Sequence, residues 1–331
     1  MRSKRKIKLQ AVVTVITVIL LIAVLSLGIF SFARADSMLN LEPTPLEPFA
    51  TNIIGNHQNI SFRSSDGQIT HHGWWLPQSS QSPSKATIIL VHDRGENRLQ
   101  FGLDTAPLFE FLTDSGFNVL AFDQRGAGES TTASHAYGYN AYEDVIAALS
   151  YVKRVQSGAP LILMGFGAGN SAIWHAWDNL PSKNDIDEDA QQEEGVLITR
   201  SDISAIIMDT PVMSTGDCIR ADVAATNLPA QWLFQWSIPL AMRLSAGNSP
   251  DINFLNDMLD APCPLFLTRS QEDSVYSQEN TDIVFSEINR LRPATSTIYL
   301  TPGSGHVSGW LDYQGSYKEE LNLFLDKWFG N

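Results

Sequence analysis

Six near-continuous apolar runs recur along this chain, at Thr87–His92, Phe117–Phe122, Leu161–Gly165, Ala205–Asp209, Pro264–Arg269 and Thr297–Leu300. Longer stretches of helical periodicity separate them. A strand that is apolar on both faces has to be covered on both, and parallel strands need crossovers long enough to hold a helix. This alternation therefore predicts an α/β chain with a doubly wound, mainly parallel sheet and helices on both faces. Tyr142–Val155 and Tyr317–Phe329 carry the 3.6-residue spacing of covering helices. Upstream, Ile60–Arg63 and His71–Pro77 flank Ser64-Ser65-Asp66-Gly67, where Asp-Gly supplies the positive φ of a tight hairpin. With the hairpin the sheet has eight strands. A small helical insertion, Val212–Leu259, is expected between the sixth and seventh. Its Trp232, Phe234, Trp236, Leu240 and Met242 suit either a cap over a pocket or a cover for the sheet.

The N-terminus adds a second constraint. Arg2, Lys4, Arg5, Lys6 and Lys8 precede Ala11–Ala33, 23 residues without a charge. A helix needs about 20 apolar residues to cross the hydrocarbon core, whereas a cleavable signal has an apolar region of about 7–15. The length predicts an uncleaved, single-pass anchor within residues 1–35. Ala33-Arg34-Ala35 also fits a small-x-small cleavage site, which leaves secretion after cleavage near Ala35 open. On either reading the basic flank stays cytoplasmic and the rest lies outside. Residues 36–56, with Pro43, Pro45 and Pro48, read as an extracytoplasmic stalk, and 57–331 as one domain. The chain from about Leu41 onward is expected to be soluble.

A formal charge of −14 over 331 residues, with few Lys and Arg beyond the N-terminus, excludes nucleic acid as a partner. The two cysteines, Cys218 and Cys263, are expected to be ordinary thiols at opposite sheet edges. The acidic stretch Asn184–Glu194 has Asp-x-Asp-x-Asp spacing but lacks the glycine and glutamate of a calcium loop. His71 and His72 are neighbours on a strand and point to opposite faces, and His175 has no companion cluster, so no metal site is expected.

Four motifs in register bring a family into view. Gly73-Trp74-Trp75-Leu76-Pro77 follows the turn, and Ile88-Ile89-Leu90-Val91-His92 ends in a loop. Asp123-Gln124-Arg125-Gly126-Ala127-Gly128-Glu129-Ser130 follows the fourth strand. Gly165-Phe166-Gly167-Ala168-Gly169 joins a strand to a helix. Together they resemble the α/β-hydrolase superfamily, in its serine aminopeptidase and acyl-transferase-like branch. The resemblance implies the α/β-hydrolase fold. It also implies a nucleophile elbow Gly-x-Ser-x-Gly, in which flanking glycines permit a sharp turn that thrusts a serine into the site. Here Gly167 holds the serine's place. Ser171 falls a helical turn too late to replace it. A dinucleotide-binding reading of the three glycines fails because the motif lies on the fifth strand with no acidic residue where the ribose would need one.

Carried onto this chain, the resemblance makes Asp273 the acid, with Glu272 as runner-up, and His306 the general base. The oxyanion hole would be the backbone amides of Ala168 and Arg94. Asp93 departs from the family, because it puts a carboxylate where His-Gly-x usually stands. It is expected to turn outward toward Arg94 or Arg98. Without a serine the acyl-enzyme cannot form. Three functions stay open: a catalytically impaired protein that binds a small apolar or acyl-type ligand or a protein partner, base chemistry by the Asp273–His306 dyad, and an active ester, thioester or peptide hydrolase. No cofactor is called for.

Overall fold

A computed structural model describes residues 2–40, 42, 44–48, 50–182, 198–226 and 228–330, with side chains from residue 10 onward. The acidic stretch Asn184–Glu194 lies outside the described residues. Eight strands form one sheet: β1 (Gln58–Arg63), β2 (Thr70–Leu76), β3 (Thr87–Val91), β4 (Asn118–Phe122), β5 (Leu161–Phe166), β6 (Ile203–Asp209), β7 (Leu265–Ser270) and β8 (Ser296–Thr301). Their order is β1-β2-β4-β3-β5-β6-β7-β8. β2 runs antiparallel to β1 and β4, and every other pairing is parallel. The sheet is the one read from the sequence.

Alternation along the central strands divides the core into two layers. Ile89 and Val91 of β3 and Leu161 and Leu163 of β5 face one side, while Ile88, Leu90, Ile162 and Met164 face the other. The second layer is covered by α2 (Ala106–Asp114) and α9 (Gln314–Phe329). The first is covered by α3 (Tyr142–Val155), α4 (Gly169–Asn179) and α8 (Gln278–Leu291). The insertion adds α5 (Thr215–Ala224), α6 (Gln231–Ser245) and α7 (Phe254–Asp260) on that side.

The Asp123–Ser130 signature does structural work. Asp123 is fully buried and accepts from the backbone amides of Arg98 (2.8 Å) and Glu129 (2.8 Å) and from the Arg98 guanidinium (2.6 Å). Gly128, at φ +45°, leaves room for that carboxylate, which a Cβ would strike at 2.1 Å. Arg125 reaches Asp144 on α3 through Nε at 2.9 Å and Glu143 at 2.7 Å, tying this loop to the covering helix.

The N-terminal helix does not end where the apolar run does. α1 (Arg2–Leu39) is continuous, and Ser31, Ala35 and Met38 are buried against the domain. The segment read as a stalk turns back onto the domain. Asn97 donates to the carbonyls of Thr44 (3.3 Å) and Pro45 (3.1 Å), the Thr44 hydroxyl donates to the Gly95 carbonyl, and Ala50 and Ile54 are buried. Proline spacing identifies non-helical chain but not whether that chain finds carbonyl acceptors and pockets nearby.

Asp123→Ala leaves the buried Arg98 guanidinium with only the exposed Glu129 as a charge partner. The expected loss is about 3–5 kcal/mol of stability, the range for removing one partner of a buried pair. Chemical denaturation of the detergent-solubilised chain measures it.

Candidate active site

The site residues gather at the carboxyl ends of the parallel strands, beside β3 where the chain order reverses. β5 ends at Phe166, Gly167 turns with φ +49°, and α4 begins at Gly169. The flanking glycines are needed for contact. A Cβ on Gly169 would lie 2.3 Å from the Val91 carbonyl, and one on Gly165 would lie 2.4 Å from Asn170 Oδ1. The Gly167 amide donates to the Asp209 carbonyl at 3.0 Å, which pins the turn to β6. The elbow expected from the sequence is formed, without a hydroxyl at its apex.

Asp93 fills the apex instead. Its Oδ1 accepts from the Ala168 amide at 2.7 Å and from its neighbour Arg94's amide at 2.7 Å, the two donors expected to serve an oxyanion. Its Oδ2 lies 3.3 Å from His306 Nε2. A Cβ on Gly167 would come within 2.3 Å of all three carboxyl atoms. The expectation that Asp93 pairs outward with Arg94 or Arg98 is therefore corrected. Arg98 is engaged with Asp123 and Glu129, and the Arg94 guanidinium reaches away to Asp222 (2.8 Å) and the Met38 carbonyl (2.9 Å). Two amides and a cation hold the carboxylate inside. The loop behind it is fixed as well. His92, its pKa lowered by burial, donates from Nδ1 to the Asp93 carbonyl at 2.7 Å and accepts at Nε2 from the Gln124 amide at 3.0 Å. The Asp93 amide donates to Gln100 Oε1 at 2.6 Å.

His306 stands between two carboxylates. Its Nδ1 donates to Asp273 Oδ2 at 3.0 Å, and Asp273 Oδ1 accepts the amides of Val275 (2.9 Å) and Tyr276 (2.7 Å). The Tyr276 ring meets the imidazole edge-on, with centroids 4.6 Å apart. Burial favours the neutral ring. The hydrogen bonds and charges of Asp273 and Asp93 outweigh it and raise the His306 pKa to about 10. Burial likewise opposes the Asp93 charge. The His306 hydrogen bond and charge, followed by the amides of Ala168 and Arg94, outweigh that effect and hold its carboxyl below the ordinary range. At neutral pH the centre is an ion pair of carboxylate and imidazolium, with no free base.

The other candidates sit apart. Ser171 is fully buried and shares a hydrogen bond with Thr215, which also bonds His175 Nε2 at 2.8 Å, so its hydroxyl faces α5. Glu272 is exposed and does not replace Asp273. His71 is buried beside Asp144 at 3.4 Å, and among the described residues no group of three or more His, Cys, Asp or Glu is placed to hold a metal. Cys218 and Cys263 are both free and buried. Sequence reasoning missed Asp209 at the end of β6. It is bonded to Tyr317 Oη (3.2 Å) and Thr210 Oγ1 (3.0 Å), and burial pushes its pKa up to about 7. An aspartate closing an apolar strand was the available signal.

The pair has a pH signature. His306 is raised from 6.5, so the stability it contributes is complete below about 6.5 and is lost as pH rises through about 10. Asp93 is lowered from 3.8, so its contribution is present above that value and is lost as pH falls through its lowered one. Histidine NMR should show His306 doubly protonated at pH 7, with a midpoint near 10. Asp93→Asn should bring that midpoint down by about 1–3 units, the effect of removing one adjacent opposite charge.

Known proteins share parts of this sequence and its fold. Residues 82–183 match the serine aminopeptidase S33 family, a span that holds the β3 loop and the elbow but ends before Asp273 and His306. The uncharacterized protein YfhR of Salmonella typhimurium is 31% identical over 136 residues, 40% of this chain and 41% of that protein, so this match spans about two-fifths of the relative's length. YfhR of Escherichia coli K12 is 23% identical over 271 residues, 81% of this chain and 80% of that protein. Among solved structures, the Pyrococcus furiosus esterase Pf2001 superimposes with a TM-score of 0.64 at 19% identity, covering 88% of this chain and 100% of that one. A lidless α/β serine hydrolase from Xanthomonas campestris gives 0.51 at 14% identity, over 87% and 99%. Sheet order, elbow, Asp273–His306 contact and these likenesses agree: the chain is an α/β-hydrolase-fold protein whose residues 82–183 match the serine aminopeptidase family.

Proposed function

We propose that this is a membrane-anchored, extracytoplasmic α/β-hydrolase-fold protein whose reaction centre is closed to acyl hydrolysis and which serves to bind a small apolar or acyl-type ligand or a partner. One observation carries the reading: the Asp93 carboxylate takes both backbone amides that a substrate oxyanion would need, in space that Gly167 leaves empty. A serine hydrolase requires a hydroxyl, a free base and open donors. Here Gly167 removes the first, protonation of His306 the second and Asp93 the third. The same protonation counts against base chemistry by the Asp273–His306 dyad. The anchor reading has its own support, because Ala33-Arg34-Ala35 lies inside α1 and Ser31, Ala35 and Met38 are packed on the domain. The basic flank before Ala11 favours the cytoplasmic side for the N-terminus.

A second reading has one observation in its favour. With Oδ1 held by two amides, Oδ2 of Asp93 is left facing His306 Nε2 at 3.3 Å. A carboxylate can act as a nucleophile. Attack on an epoxide carbon would form an aspartyl ester and break the ring C–O bond. The alkoxide would take the His306 proton. The neutral imidazole would then take a proton from water as it attacks the ester carbonyl, and cleavage of the acyl C–O bond would release the diol and restore the Asp93 carboxylate and His306 imidazolium. An epoxide adduct on Asp93, sought by peptide mass spectrometry, distinguishes this reading from a closed site.

For the closed site, the wild type should stay unlabelled by a fluorophosphonate and show esterase activity near background. Removing a triad nucleophile costs on the order of 10⁶ in kcat. Gly167→Ser alone should label poorly, since its Cβ would meet Asp93. Asp93→Gly with Gly167→Ser should label, and adding His306→Ala should abolish the reaction. Wild-type turnover of any ester at about 1–10³ s⁻¹ would sink the proposal.

A further inference from the structure

The insertion carries an apolar surface that the reaction centre does not use. On α6, Trp232 is 67% exposed, Trp236 81%, Leu240 54% and Leu244 46%. Four residues apart, they form one stripe on the helix surface. The opposite side of α6 is committed to the core through Ile238, Ala241 and Met242. A flank packs on α1, where Phe30 and Phe234 have ring centroids 4.8 Å apart and the Ser31 and Ser237 hydroxyls are 2.7 Å apart.

That contact fixes the depth of α6. The apolar run begins at Ala11, after Gln10, and about 20 residues cross the hydrocarbon core, so Leu27 and Phe30 fall at its outer edge. A helix that runs alongside them is held at the outer interface of the bilayer, where tryptophan is favoured. Between α1 and α6 a cleft of about 530 Å³ is lined by Leu27, Tyr139, Trp236, Leu240 and Arg243. Arg220 and Asp251 also line it, so with Arg243 its polar end offers two guanidinium groups to a phosphate or ester oxygen against one carboxylate.

We propose that α6 and this cleft form a lipid-binding surface: the Trp232–Leu244 stripe seats in the outer leaflet beside α1, and a membrane phospholipid places an acyl chain in the cleft with its polar end at Arg243. The occupant is lipid because the face is continuous with the helix that spans the bilayer. This rests on α1 remaining attached. It also runs counter to the expectation that residues from about Leu41 onward are soluble by themselves.

The test uses the full chain, its intact mass verified, in phosphatidylcholine vesicles brominated at acyl carbons 6 and 7. α1 holds no tryptophan, so bromine quenching reports on the domain alone. Emission relative to unbrominated vesicles should fall by roughly the share of two tryptophans in eight. Most of that loss should disappear in W232F/W236F. Unquenched wild-type emission in a chain that floats with the vesicles overturns the placement of α6. So does quenching of equal size in the double variant. A chain that does not float fails instead as an anchored protein.

Discussion

A carboxylate bonded to two backbone amides and facing an imidazolium is the interaction on which the rest of this centre depends. Each hydrogen bond to the charged Asp93 is of the class that contributes about 1.5–3 kcal/mol, and its geometry is available only because Gly167 has no Cβ. The two departures from the family pattern are therefore one change. A side chain at 167 would collide with the carboxylate. With Gly167 but without Asp93, two amides would be left aimed at an empty apex and His306 would lose one of its two anionic partners. Residues in contact through a shared space are coupled, and substitutions at 93 and 167 belong in a double-mutant cycle.

The same loop joins the centre to the N-terminal apolar helix. Arg94, next to Asp93, stacks on Tyr137 with its guanidinium carbon 4.1 Å from the ring centroid, pairs with Asp222 of α5 and donates to the Met38 carbonyl at the end of α1. One side chain thus ties α1, the insertion and the β3 loop together. A displacement of α1 against the domain would strain the backbone whose amide holds Asp93. The insertion's α5 braces the reaction centre, and its α6 packs on α1.

Much of this was legible in the sequence because burial on both faces makes parallel strands nearly all apolar, and because strand ends locate Gly167, Asp273 and His306. Asp273 and His306, 33 residues apart, meet as their order along the chain implied. The direction of Asp93 was not legible. Sequence proximity favoured Arg94 and Arg98 as its partners, but both are claimed by carboxylates remote in sequence, Asp222 and Asp123. The residues 36–56 misled for a related reason. Prolines mark chain without helix or strand, while Asn97 and the pockets for Ala50 and Ile54 come from elsewhere in the chain. Asp209 was missed because its raised pKa comes from burial, against the opposing hydrogen bond from Tyr317, and neither of these is local in sequence.

The intact acid–histidine contact is the feature that most invites an enzymatic reading, yet its surroundings differ from those of a working triad. In a serine hydrolase the acid orients an imidazole that must be neutral to take a proton. Here a second carboxylate has replaced the hydroxyl on the far side of the ring, and both carboxylates stabilise the cation. Asp273, by holding Nδ1 and the ring's orientation, now serves to present Nε2–H to Asp93. Loss of either His306 or Asp273 would leave Asp93 largely buried with a weakened counter-charge, and removing a partner from a buried pair costs about 3–5 kcal/mol. Stability alone is therefore a sufficient reason for Asp273 and His306 to remain where a hydrolase would have them. Their presence says that the elbow's apex must hold a negative charge. It does not say that the charge develops during a reaction.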